Sequence, residues 1–297
     1  MNQAGEAQNI QVGLWSAFVS SAYLVMADYL LNYFSPSWLL FTSLMIIPLL
    51  IPTAWSNRSK YIAWSRSAWL SFLLVGILSG AYNLVFLLSA DRLPISVASM
   101  FLSIASVMVL PLTCLMQRRL PGGLELASIT MVWIGVALVL QLHAAVYSIV
   151  GISLGLLTTF LSASATIYSG KIRNILAAKE AMISKQLGKL SFATLGILIL
   201  VKEDVPLNTI EIYLWFLLGL YGAMKIYDSF IASRAQFVLP PLVFQGLNLL
   251  SLPLVCIIEI LLFKGSFSSW QWLGISAIIL AGFFAARSKQ IQLKAFQ

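Results

Sequence analysis

The chain has 297 residues, 60% hydrophobic and only 9% charged, where a soluble domain carries about 25% charged residues. That composition excludes an ordinary globular enzyme and predicts an all-α polytopic membrane protein. The net charge of +8 does not point to nucleic acid, because the basic residues sit between apolar runs and form no basic face interleaved with aromatics.

About ten spans are predicted, each near the 20 residues a helix needs to cross hydrocarbon: 12–33, 36–55, 67–89, 94–117, 124–142, 149–170, 183–201, 212–232, 236–262 and 270–287. Residues 1–11 contain no Lys or Arg, and the apolar run behind them is too long for a signal peptide. The first span is therefore expected to be retained. Lys185 and Lys189 open the seventh span, which predicts a short helix whose lysines snorkel to the interface.

The eighth span carries Lys225 and Asp228. A charge near the middle of a span costs on the order of 3 kcal/mol or more and usually faces a cavity or a partner. Tyr221, Lys225 and Asp228 fall at i, i+4 and i+7 and share one helix face. They predict a wet, charge-reading wall. The plainer alternative is a local i, i+3 ion pair that neutralises itself.

Loop charges orient the chain. Arg58, Lys60, Arg66, Arg118, Arg119, Lys171, Arg173, Lys179, Arg234, Arg287, Lys289 and Lys294 fall on one set of alternate loops and at the C-terminus. By the positive-inside rule both termini are cytoplasmic. Short loops point to a bacterial inner membrane. Cys114 and Cys256 lie in apolar runs and read as small buried residues. His143 is alone and reads as a loop residue. With no His/Cys cluster, neither a metal nor a cofactor is expected, and no nucleophile elbow or phosphate loop points to an enzyme.

The two halves echo each other. Gly13, Phe18 and Ser20 match Gly155, Phe160 and Ser162. Gly80 and Ala81 match Gly222 and Ala223. Pro111 and Cys114 match Pro253 and Cys256. Every pair is 142 residues apart. The chain therefore divides into five-span repeats, 1–145 and 146–297. An odd number of spans inverts the second copy, the arrangement of many secondary transporters, with the site at the midplane where the copies meet. The same shift sets Asn83 opposite Lys225.

Ala90-Asp-Arg-Leu-Pro-Ile-Ser-Val-Ala98, Pro111 and Trp133-Ile-Gly135, echoed by Pro253, Trp270-Gln-Trp-Leu-Gly274 and Leu280-Ala-Gly282, resemble the EamA-type repeat of the drug/metabolite transporter superfamily. The resemblance covers nearly the whole chain as two copies. It departs where EamA-type repeats often carry Gly-Glu after the proline-bearing span: Arg118-Arg119 and Lys264-Gly265 stand there. It implies ten helices, cytoplasmic termini and a cavity lined by spans one, three, four, six, eight and nine. Family substrates include amino acids, other small metabolites, drugs and, in relatives, nucleotide-sugars.

Besides Lys225, Asp228 and Tyr221, the candidate substrate-binding residues are Asn83 and Tyr82 in span three and Gln245 and Asn248 in span nine, whose amides must find hydrogen bonds inside the bilayer. Asp28 and Glu259, near the outer ends of spans one and nine, are candidate gating or coupling carboxylates for a proton or ion. The plainer alternative is that both reach interfacial water. The stripes Ser96, Ser99, Ser103 and Ser106 in span four, and Gly155, Thr159, Ser162, Thr166 and Ser169 in span six, read first as close helix packing.

The expected function is alternating-access transport of a small polar or zwitterionic metabolite, with an amino acid the simplest fit to one cation and one anion. A nucleotide-sugar or lipid-linked sugar translocator would need a strongly basic cavity, and Lys225 is the only deep cation the spans predict. A non-transporting scaffold would leave the polar faces sealed against each other.

Overall fold

The structure, a computed structural model, describes residues 3–56, 58, 64–140, 147–171, 175–176, 178–200, 211–238, 248–263 and 267–295. No strand occurs among them. The helices are α1 (Gln3–Leu31), α2 (Pro36–Phe41), α3 (Ile47–Ser56), α4 (Arg66–Ala90), α5 (Ile95–Met116), α6 (Gly123–Leu140), α7 (Ile149–Lys171), α8 (Ala178–Leu200), α9 (Ile212–Val238), α10 (Ser251–Phe263) and α11 (Ser269–Ala295). The chain is an all-α polytopic membrane protein.

Among the described residues five stretches are long and apolar enough to cross a membrane: Gln11–Leu31, Arg66–Ala90, Ile95–Met116, Gly123–Leu140 and Ile149–Ser169. Pro36–Ile46, Ser251–Leu262 and Ser269–Phe284 are shorter apolar helices. Helices α8 and α9, at 23 and 27 residues, carry Lys185, Lys189, Lys225 and Asp228 within their apolar runs.

Span two, expected as one helix, is three pieces. A 3-10 helix, Thr42–Ile46, separates α2 from α3. Pro48 has no N–H to give the Leu44 carbonyl, so the regular ladder cannot run through. Thr42 Oγ1 also donates to the Leu39 carbonyl at 2.7 Å, a back-bond that bends helices. The 3-10 helix rests on α9, where Gly222 leaves room: a Cβ there would sit 2.7 Å from Met45 Sδ and 2.9 Å from Thr42 Cβ.

The helices pack in pairs that the 142-residue shift exchanges. α4 packs on α7 and α8, as α9 packs on α1 and the 3-10 helix. α5 packs on α7 as α10 packs on α1. α6 packs on α11 and α5 on α10. Hydroxyls stitch the contacts. Ser21 donates to the Ser251 carbonyl at 3.1 Å, Ser89 to Gly151 at 3.1 Å, Ser128 to Ala281 at 2.6 Å and Thr159 to Phe101 at 2.7 Å. Each joins residues 1–145 to residues 146–297. Between apolar helices such bonds contribute about 0.6 kcal/mol each on average.

The turn after α5 explains Arg118-Arg119. Arg118 adopts φ 52°, the left-handed residue that ends a helix. Its N–H donates to the Leu115 carbonyl at 3.1 Å and the Arg119 N–H to the Cys114 carbonyl at 3.0 Å, the paired bonds of a Schellman cap. The chain reversal aims Arg119 at Glu125, with Nη1 at 2.7 Å and Nη2 at 2.8 Å from its two oxygens. Glu125 Oε2 also accepts from the Gly122 N–H at 2.9 Å, and the side chain is fully buried beside a 30% exposed Arg119. Glu125→Ala is expected to destabilise the protein. Breaking a buried pair costs about 3–5 kcal/mol, and Arg119 can rehydrate, so the low end applies. Thermal unfolding of purified protein checks this; an unchanged melting temperature would mean the clamp is dispensable.

Candidate functional site

A cavity of about 180 Å³ lies inside the bundle. Its wall is built from α1, α4, α5, α7, α8, α9, α10 and Asn248 just before α10. Apolar helices meet there through polar residues because each contributes one polar stripe on an otherwise hydrophobic surface.

Lys225 and Asp228 are both on this wall, 6% and 7% exposed. They do not form the local ion pair that their spacing allows. Lys225 Nζ donates to Ser43 Oγ of the 3-10 helix at 3.3 Å and lies 5.6 Å from the centre of the Tyr221 ring. Asp228 Oδ1 accepts from Ser16 Oγ at 3.1 Å and Ser20 Oγ at 2.7 Å, both on α1. The two charges are held by different elements, so neither neutralises the other.

Asn83, Tyr82 and Asn248 also line the cavity. Tyr221 does not. It is 1% exposed and belongs to an apolar cluster with Leu30, Leu218 and Val255, with its ring edge-on to Tyr23 at 6.1 Å. Its place is behind Lys225, as a backing surface, because the i to i+4 step turns its ring into the core. Gln245 lies outside the described residues.

Asp28 and Glu259 are elsewhere. Asp28 on α1 lies beside the Ile95 backbone, and Glu259 on α10 beside Ser96 and within electrostatic reach of Asp28. Both face the first turn of α5, whose N-cap is Pro94 with no side-chain cap. Carboxylates at a helix N-terminus meet its unpaired N–H groups and positive dipole end. Glu259 Oε2 is buried with no hydrogen-bond partner.

The structure adds residues the spacing did not single out. Lys185, Gln186 and Lys189 on α8 line the cavity; the two lysines were expected to snorkel, and span seven was not expected to contribute. Lys189 Nζ donates to Ser229 Oγ at 2.7 Å and lies 6.0 Å from the Tyr82 ring centre. Lys225 is therefore not the only cation on the cavity wall. The i, i+4 spacing of Lys185 and Lys189 inside an apolar run was the available signal, identical in kind to that of Lys225 and Asp228. The small-residue stripes divide. Ser103, Ser162, Thr166 and Ser169 reach the cavity, whereas Ser99 returns its hydroxyl to the Ser96 carbonyl and Thr159 bridges α7 to α5.

Three buried polar atoms on the wall have no hydrogen-bond partner: Asn83 Nδ2, Gln186 Nε2 and Ser169 Oγ. A buried donor left unpaired costs about 1–3 kcal/mol, so the arrangement is complete only with a ligand or water in place. Among the described residues no group of His, Cys, Asp and Glu could hold a metal ion.

The structure is a polytopic helical bundle with a cavity lined by charged and polar residues. Residues 9–141, a little under half of the chain, match the EamA-like transporter family. No curated protein matches the sequence. A solved structure described only as a crystal structure of a protein aligns with a TM-score of 0.62, covering 94% of this chain and 96% of that one, at 12% identity. At that identity the likeness is one of fold.

Proposed function

We propose that the chain is a carrier that moves a small polar metabolite across a membrane by alternating access, with residues 1–145 and 146–297 as inverted five-helix repeats around one central site. The observation that carries this reading is the cavity wall. Lys225 and Asp228 are buried there, held separately, and flanked by unpartnered amides. A sealed scaffold would have paired them. The exchange of packing partners by the 142-residue shift supports the repeat, and in the carrier the two halves rock against each other about the fixed site. The loop charges support cytoplasmic termini and a cell inner membrane as its place.

The cavity size favours a small substrate. An apolar cavity of about 150 Å³ holds benzene, so about 180 Å³ suits a metabolite of amino-acid size. A nucleotide-sugar is several times larger.

Cysteine labelling tests the carrier against the scaffold. With Cys114 and Cys256 replaced by Ala, Asn83→Cys and Asn248→Cys are expected to react with a water-soluble, membrane-impermeant thiol reagent, and the labelling side is expected to change with substrate. No reaction at either position under any condition, in folded protein, would establish sealed packing and remove the carrier reading.

A further inference from the structure

We infer that the cavity selects a small organic anion, a carboxylate- or phosphate-bearing metabolite with net negative charge, whose oxyanion group sits between Lys189 and Lys225. The inference rests on the carrier reading and names its substrate class.

The charges on the wall are unequal. Lys189 and Lys225 have only hydroxyl partners, Ser229 and Ser43, and no carboxylate partner among the described residues. They are close enough to repel, and Lys189 is within electrostatic reach of Asp228 as well. Among the described residues Asp228 is the one carboxylate lining the cavity, and two serine hydroxyls already stabilise its charge. Lys225 is buried and Lys189 half-buried; shielding an ammonium from water without a counter-charge is costly, and an anion is the ligand that relieves both.

The neutral groups agree independently. Asn83 Nδ2 and Gln186 Nε2 are N–H donors with no acceptor, on side chains 8% and 4% exposed. Ser169 Oγ, on a residue 2% exposed, is unpartnered too. The wall offers more donors than acceptors, and a carboxylate or phosphate is acceptor-only when ionised. A zwitterionic amino acid would place its ammonium among lysines, with one already satisfied carboxylate to receive it. The geometry favours a ligand whose charge is negative throughout.

Thermal melting of the purified full-length protein at matched ionic strength tests the inference, with succinate, glycerol 3-phosphate, alanine and putrescine as probes. A ligand that binds only the folded state raises its melting temperature. Succinate or glycerol 3-phosphate is expected to do so, which also decides between the carboxylate and the phosphate. Alanine and putrescine are expected to leave it unchanged. Lys189→Gln and Lys225→Gln are each expected to weaken the anion's apparent affinity at least tenfold; two variants are made because either one alone could fail to insert. Stabilisation by alanine or putrescine without the anions, or no stabilisation by either anion, overturns the inference, as does full affinity in both variants. Counterflow in proteoliposomes separates this from the carrier reading. Anion binding without counterflow keeps the anion site and removes the carrier. Counterflow of alanine or putrescine alone keeps the carrier and removes the anion site.

Discussion

Lys225→Ala and Asp228→Ala are each expected to reduce transport at least 100-fold while leaving the amount of protein in the membrane unchanged, and the double variant is expected to recover nothing. Hydrogen bonds to charged groups contribute about 1.5–3 kcal/mol each, and 100-fold corresponds to about 2.8 kcal/mol. The double variant is the informative one. In a self-neutralising pair, removing one partner strands the other charge, and removing both restores much of what was lost. Here Lys225 is held by Ser43 of the 3-10 helix, and Asp228 by Ser16 and Ser20 of α1. Deleting one leaves the hydrogen bonds of the other intact. The double variant should therefore be no better than the worse single variant in an uptake assay in proteoliposomes. Recovery of more than tenfold over both single variants would show that the two charges exist for each other, and would remove them from the substrate site.

What the sequence made legible follows from what one dimension records. Apolar runs and the loops between them fix where helices lie, so the predicted spans fall on helical stretches where their residues are described, span two in three pieces. Lys225 and Asp228 stood out because charge inside an apolar run is rare. Their partners did not, because Ser16, Ser20 and Ser43 lie 182 or more residues away in the chain. Lys185 and Lys189 carried the same signal, but at a span's edge, where snorkelling explains a lysine equally well. Whether it snorkels or turns inward is set by the neighbouring helix, here through Ser229 of α9. The break in span two was written in Pro48 and Pro52, yet its consequence, delivery of Ser43 to Lys225, depends on α9 packing against it. Tyr221 shares a face with Lys225 by spacing, but one turn of drift puts its ring in the core. The stripes of serine and threonine held both uses, and only the packing separates Ser103 at the cavity from Thr159 at the helix contact.

Gly188→Leu is expected to unseat α8 and abolish transport. Helix α4 presents Gly76 and Gly80, spaced by four on one face, and α8 answers with Ser184 and Gly188 at the same spacing. Small residues at this spacing let two helices approach closely. A Cβ at Gly188 would run into the Gly76 backbone, and one at Gly80 into the Gly188 carbonyl and the Phe192 ring. A Cβ at Gly76 would lie 2.9 Å from the Ser184 carbonyl oxygen. Most of these neighbours are backbone atoms, so no side chain can rotate away, and the helices must separate. Overpacking costs about 1–3 kcal/mol and sometimes more, and a leucine against backbone belongs at the upper end. The functional effect is larger than the loss of stability. Gly188 lies two residues from Gln186 and one from Lys189, so moving α8 moves the basic wall of the cavity. Gly219→Leu is the control, since nothing lies within 4 Å of a Cβ there. Uptake and melting temperature are measured for both variants. Gly188→Leu should lose uptake and melt several degrees lower, with Gly219→Leu near wild type. Equal behaviour of the two would mean that the α4–α8 contact is loose enough to absorb a side chain, and that the position of Lys189 does not depend on it.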